Sequence, residues 1–254
     1  MSEADGYRRF ESRAAAYAAA RPGYPAALID HLMDRLALRV GAQVADIGSG
    51  TGIFTRLLLD RGLGVATVEP GADMRGMAET LLGGCPGFSS VEGTARATGL
   101  ATASLDAIFC AQAFHWFNEE ATLLEWRRIL RPGASAALIW NYHDEASRFV
   151  ADYLEVVRAF GPEAQGTMAA AWRTHLDNVL FRGRTAETVA VPHEQWLDFD
   201  GLMQRAASTS YLPKPDAPQF PALAASLRAV FDRHQRGGAV ALAYRTVAVF
   251  GPLG

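Results

Sequence analysis

Apolar residues in this chain follow two spacings. Short, mostly apolar runs at 44–47, 65–68, 105–111 and 134–140, and a shorter mixed one at 88–92, lie near Gly, Pro or charged residues. Such runs predict strands buried on both faces. Between them, Leu28, Ile29, Leu32, Met33 and Leu36 recur every three or four positions and predict a helix over 25–38. The same reasoning gives helices over 53–63, after 70–74, and over 119–130, where Arg131, Pro132 and Gly133 stop the last one. Strand and helix alternate, so the expected fold class is α/β, with a doubly wound, mostly parallel seven-stranded sheet.

Past Asn141 the rhythm changes. A helical stretch beginning at Tyr142 and His143 runs through Phe160, Gly161 and Pro162 break it, and a second helix is expected over 168–180. Residues 185–199 supply a sixth strand. Residues 208–213 turn toward a helix over 220–235, which Gly237 and Gly238 close, and 239–250 alternates as an antiparallel edge strand completing the sheet. Ahead of everything, 7–20 is Ala-rich with high helix propensity and closes at Arg21, Pro22 and Gly23. The organisation is read as an N-terminal lid and first helix (1–40), a ligand-binding core (41–140), a helical cap over a second pocket (141–215), and a C-terminal helix and edge strand (216–254).

Composition changes this picture little. The chain is 50% hydrophobic and 20% charged, with a formal net charge of −3, which argues against a nucleic-acid groove or an anionic membrane as partner. Residues 1–13 are charged, so no signal peptide is expected, and no apolar run approaches membrane-spanning length. Cys85 and Cys110 have no metal spacing, and Cys110 reads as a buried apolar residue. These features predict a cytoplasmic protein, a monomer or homodimer.

The chemistry concentrates where the first strand ends: Asp46, Ile47, Gly48, Ser49, Gly50, Thr51 and Gly52. Alternating glycines permit a tight turn and close approach of a ligand to the backbone. Position 53 is Ile rather than the third glycine of a dinucleotide fingerprint, and no Lys-Ser or Lys-Thr pair follows, which excludes a phosphate-cradling loop. Asp46 would repel a pyrophosphate and attract an ammonium group. Glu69, ending the second strand, suits the two hydroxyls of a free ribose. S-adenosylmethionine fits the description of a cationic ligand that carries a ribose and no phosphate.

Asp46 to Gly52, Glu69-Pro70, the stretch Gln112-Ala113-Phe114-His115-Trp116-Phe117 and Arg131-Pro132-Gly133 together resemble a class I S-adenosylmethionine-dependent methyltransferase, of the type 11 subgroup acting on small molecules. The likeness covers most of the first 140 residues. It implies a Rossmann-like methyltransferase fold and a lid in which Tyr17 and Arg21 lie near the cofactor carboxylate, although both, like Tyr24, can equally be packing residues. It implies that Met74 packs on the adenosine, and that Thr94 and Ala95 follow the third strand where related enzymes place an acid. It further implies that Gln112, Ala113 and Phe114 border the point where methyl donor and acceptor meet.

Methyl transfer needs mainly alignment and exclusion of water. A base is required only for an alcohol, phenol or protonated amine. His115 and His143 are candidates, His115 the better placed; each has packing as its alternative. Asn141 either orients the substrate or caps a strand end. Phe114, Trp116, Phe117, Trp140 and Tyr211 would make the pocket aromatic or simply fill the core. The remaining histidines are too scattered for a metal site. The expected activity is methylation of a small carboxylated or aromatic molecule. The alternatives are a cyclase in which the cofactor's own amine displaces methylthioadenosine to give azetidine-2-carboxylate, and a non-catalytic cofactor-binding module.

Overall fold

A computed structural model describes residues 21–161, 179–209 and 211–253. Tyr17, the 7–20 helix and nearly all of the helix expected over 168–180 lie outside the described residues. The elements in chain order are α1 (Ala26–Arg35), β1 (Gln43–Ile47), α2 (Ile53–Leu59), β2 (Gly64–Val68), α3 (Ala72–Leu82), β3 (Phe88–Val91), β4 (Leu105–Ala111), α4 (Glu120–Ile129), β5 (Leu130–His143), α5 (Arg148–Phe160), β6 (Glu187–Leu197), α6 (Phe199–Ala207), α7 (Phe220–His234) and β7 (Val240–Pro252). A 3-10 turn, Phe114–Trp116, follows β4.

The sheet has seven strands in the order β3-β2-β1-β4-β5-β7-β6. The first five pair in parallel, while β7 runs antiparallel to both β5 and β6. This is the α/β architecture expected, with three corrections. The C-terminal strand is interior, and β6 forms the edge beside it.

The second correction concerns β5, which begins directly at Leu130 and accommodates Pro132 and Gly133 as a bulge, because the register jumps from Leu105↔Leu130 to Ala107↔Ser135. It also continues through Tyr142 and His143, where a helix was expected, since β7 pairs with it as far as Tyr244. The third is α6, which sequence reading missed; Asp198 caps it, its carboxylate accepting from the Gly201 amide at 2.7 Å.

Two apolar clusters sandwich the sheet. One face packs Phe114, Phe117, Trp126 and Trp140 under α4; the other packs Leu28, Leu32, Phe54 and Phe250 under α1 and α2. A third cluster joins α5, α6 and α7 to the start of β7, through Tyr153, Leu202, Leu227 and Tyr244.

Candidate active site

From β1 the chain winds outward to β2 and β3, then crosses back so that β4 lies on the other side of β1. Ligands of open α/β sheets bind at such a reversal, outside the carboxyl ends of the strands. A crevice of about 960 Å3, open mouth included, occupies that position. It is walled by the glycine turn after β1, by Glu69 and Pro70 after β2, by Met74 of α3, and by Gln112, Ala113, Trp116 and Phe117 after β4.

The glycine turn has the shape its sequence requires. Gly48 sits at φ +70°, and a Cβ there would lie 2.7 Å from the Cβ of Ala113, so the loops after β1 and β4 approach as only glycine permits. Gln112 also takes the left-handed conformation, at φ +59°. Its amide donates to Ile139 O at 2.8 Å and its side chain reaches Asn141 O at 3.4 Å, which holds the residue in place against its backbone strain.

Asp46 is buried, and its Oδ2 accepts from the Thr55 hydroxyl at 2.6 Å. Burial, with the charge of Glu69 adding to it and Thr55 opposing, pushes its carboxyl up to about 7. Asp46 Oδ1, Ser49 Oγ and Thr51 Oγ1 are buried with no hydrogen-bond partner, and all of these residues line the crevice. Orphaned buried polar atoms are rare in folded proteins and mark a place where a ligand supplies the missing bonds. Glu69 accepts from the Gly50 amide at 2.9 Å through Oε2 and from the Gly71 amide at 2.8 Å through Oε1. Burial raises its pKa, opposed by those two amides and by Arg75. A carboxylate has about four acceptor positions, so roughly half remain for a pair of ligand hydroxyls. A cation beside Asp46 and a diol beside Glu69 fit this donor and acceptor set.

The crevice brings together Asp46, Gly48, Ser49, Gly50, Thr51, Glu69, Pro70, Met74, Ala95, Gln112 and Ala113, as expected. Other expected residues fall elsewhere. Phe114 is buried in the core, edge-on to Phe117 and Trp126 at 5.6 Å from each, because successive residues of a 3-10 turn point about 120° apart. The same geometry turns Trp116 into the crevice and leaves His115 exposed, its ring tilted against that of Trp116 at 4.8 Å and absent from the lining. Thr94 is taken up by a backbone bridge to Ala97, and Ala95 lines the crevice in its stead.

Asn141 is not aimed at a substrate. Its Nδ2 donates to Gly23 O at 3.0 Å and its Oδ1 accepts from Thr246 at 2.6 Å, tying the segment before α1 to β5 and β7. Arg21 donates to Ser208 O at 3.2 Å and lies outside the crevice lining. Sequence reading missed Ile53 and Phe54 as lining residues; their position, at the first turn of the helix leaving the glycines, was the available signal. Among the described residues no cluster suits a metal, and no helix is long and apolar enough to cross a membrane.

The comparison with known proteins agrees with this geometry. A methyltransferase-domain family model matches residues 45–138, the stretch that builds the crevice. An uncharacterized methyltransferase of Mycobacterium tuberculosis is 37% identical over 148 residues, and the chain spans 58% of that relative's length. A trans-aconitate 2-methyltransferase of Azoarcus sp. is 30% identical over 217 residues, covering 79% of this chain and 82% of the relative. The chain belongs to the class I S-adenosylmethionine-dependent methyltransferases. The fold of this methyltransferase is also that of a solved structure from Anaeromyxobacter dehalogenans, described as a type II methyltransferase, at a TM-score of 0.71 and 24% identity over 92% of this chain and 98% of the other.

Proposed function

We propose that this methyltransferase moves the methyl group of S-adenosylmethionine to a small molecule, with the cofactor in the crevice over β1, β2 and β4. The observation that carries this reading is the set of orphaned atoms, Asp46 Oδ1, Ser49 Oγ and Thr51 Oγ1, in one crevice with the amide-held carboxylate of Glu69. Asp46 receives the cofactor ammonium, Glu69 the ribose hydroxyls, and Met74 and Ala95 give the base an apolar seat. When bound, the cofactor would supply a sulfonium methyl carbon open to in-line attack by a nucleophilic atom of the acceptor, with S-adenosylhomocysteine as the leaving group.

The remaining work of the protein is alignment and exclusion of water. Trp116, Phe117 and Tyr24 wall the crevice with aromatic surface. Its titratable residues are Tyr24, Asp46 and Glu69 among those described, so His115 supplies no base there. An acceptor that is already an anion, or needs no deprotonation, suits such a site. Cyclisation needs a group that holds the cofactor amine in line, and the Asn141 amide, which could serve at the end of the fifth strand, is engaged by Gly23 and Thr246.

The test is turnover of purified protein with S-adenosylmethionine and a panel of small acceptors, followed by mass spectrometry. Methylated product is expected; methylthioadenosine released without any acceptor would overturn the reading in favour of cyclisation. Replacing Asp46 or Glu69 with Ala is expected to weaken cofactor binding by about 1–3 kcal/mol each in titration calorimetry.

A further inference from the structure

Arg205, on α6, is 6% exposed and has no carboxylate partner among the described residues. Its Nε donates to the Tyr244 hydroxyl at 3.3 Å and its Nη1 to the Thr209 hydroxyl at 3.1 Å. A guanidinium carries five N–H donors, so most of its fork, including Nη2, is left without a partner there. It stays charged when buried, and a buried cation without a counterion is strongly unfavourable.

The neighbourhood has the same polarity throughout. Tyr153 and Tyr211 lie within electrostatic range of Arg205, while Arg21 and Arg205 both act on His143. His143 is only partly buried as a residue, yet its Nδ1 is shut off from solvent and makes no hydrogen bond. Its ring lies 4.8 Å from that of Tyr244 and 5.9 Å from that of Tyr153. Two arginines, a histidine and phenol groups thus converge, and among the described residues no acidic side chain pairs with Arg205.

The cluster adjoins the crevice along the chain. His143 follows Asn141 by two residues, about 7 Å along the strand. The carbonyl of Asn141 is held by Gln112 of the crevice wall, and Arg21 stands three residues before the crevice residue Tyr24. We infer that Arg205, with Tyr244, Thr209 and His143 beside it, anchors a carboxylate group of the acceptor. This assignment rests on the methyltransferase reading above. A planar fork can meet the two oxygens of a carboxylate with parallel hydrogen bonds, and because it can also grip a phosphate, a phosphate arm of the test separates the two.

The test uses the full chain loaded with S-adenosylhomocysteine. Fumarate, trans-aconitate and benzoate are the probes, with their methyl esters and inorganic phosphate as comparison arms. At least one carboxylate is expected to raise the melting temperature of the loaded wild-type protein at low salt, its ester giving no shift. The Arg205→Gln variant should bind that carboxylate at least tenfold more weakly by calorimetry, while Arg205→Lys recovers part of the loss. Failure of all three acids to stabilise the wild type, tighter binding of phosphate than of any acid, or unchanged affinity in Arg205→Gln would overturn the inference. The wild-type arm stands even where a variant does not fold. Because loading with S-adenosylhomocysteine is measured first, absence of cofactor binding would count against the proposed function, and a loaded protein indifferent to carboxylates against the anchor alone.

Discussion

Asp46 and His143 are titratable groups that desolvation drives in opposite directions. Burial, aided by Glu69, raises Asp46 from 3.8 to about 7. A cationic ligand therefore competes with a proton at this carboxylate, and S-adenosylmethionine affinity should rise by up to about tenfold per pH unit below pH 7 and level off above it, as calorimetry at several pH values would show. With a raised folded-state pKa, the stability this group contributes is complete below the unfolded value of 3.8 and is lost as the pH rises through about 7. Asp46→Asn should consequently melt higher than the wild type at pH 8 without cofactor, while binding cofactor less well. Burial, with Arg205 and Arg21 adding to it, lowers His143 from 6.5 to about 3. Its contribution is present above pH 6.5 and is lost as the pH falls toward 3, so His143→Gln should melt with a weaker acid dependence than the wild type in that window.

At the scale of elements, the glycine turn and β5 do most to set the site. Gly48→Ala must hold a side chain at φ +70° and push it against Ala113, and should destabilise by about 1–3 kcal/mol in chemical denaturation while distorting the crevice. Thr246→Val removes the hydroxyl that steadies Asn141, and is expected to cost about 1 kcal/mol of stability with cofactor affinity little changed.

The parallel strands β1, β2 and β4 were legible because central strands are apolar on both faces, and Asp46 and Glu69 were legible because they end such runs. The far end of β5 was not, since Asn141, Tyr142 and His143 read as the polar start of a helix while β7 supplies their backbone partners from distant sequence. Arg205 was equally hidden. Its meaning lies in Tyr244, Tyr153 and Arg21, which only the fold assembles, whereas Asp198 before α6 was a capping signal that sequence reading passed over.

Across the whole molecule, cofactor crevice and anion-suited cluster belong to different apolar clusters. The crevice rests on the clusters against the two faces of the sheet, and Arg205 stands on the layer of α5, α6 and α7. Leu227→Ala, deep in that layer, should lose about 2–5 kcal/mol of stability. It should blunt the response to carboxylates more than the binding of S-adenosylhomocysteine, with thermal shift reading both.

The interior place of β7 has a further consequence for how the protein is made. β5 is complete at His143, but the strand that covers its outer edge begins at Val240. During translation that edge leaves the ribosome long before its partner exists, with a row of open amides and carbonyls along an apolar ribbon. The newborn chain is therefore most prone to stray association in the interval between the two, a hazard for which chaperones exist.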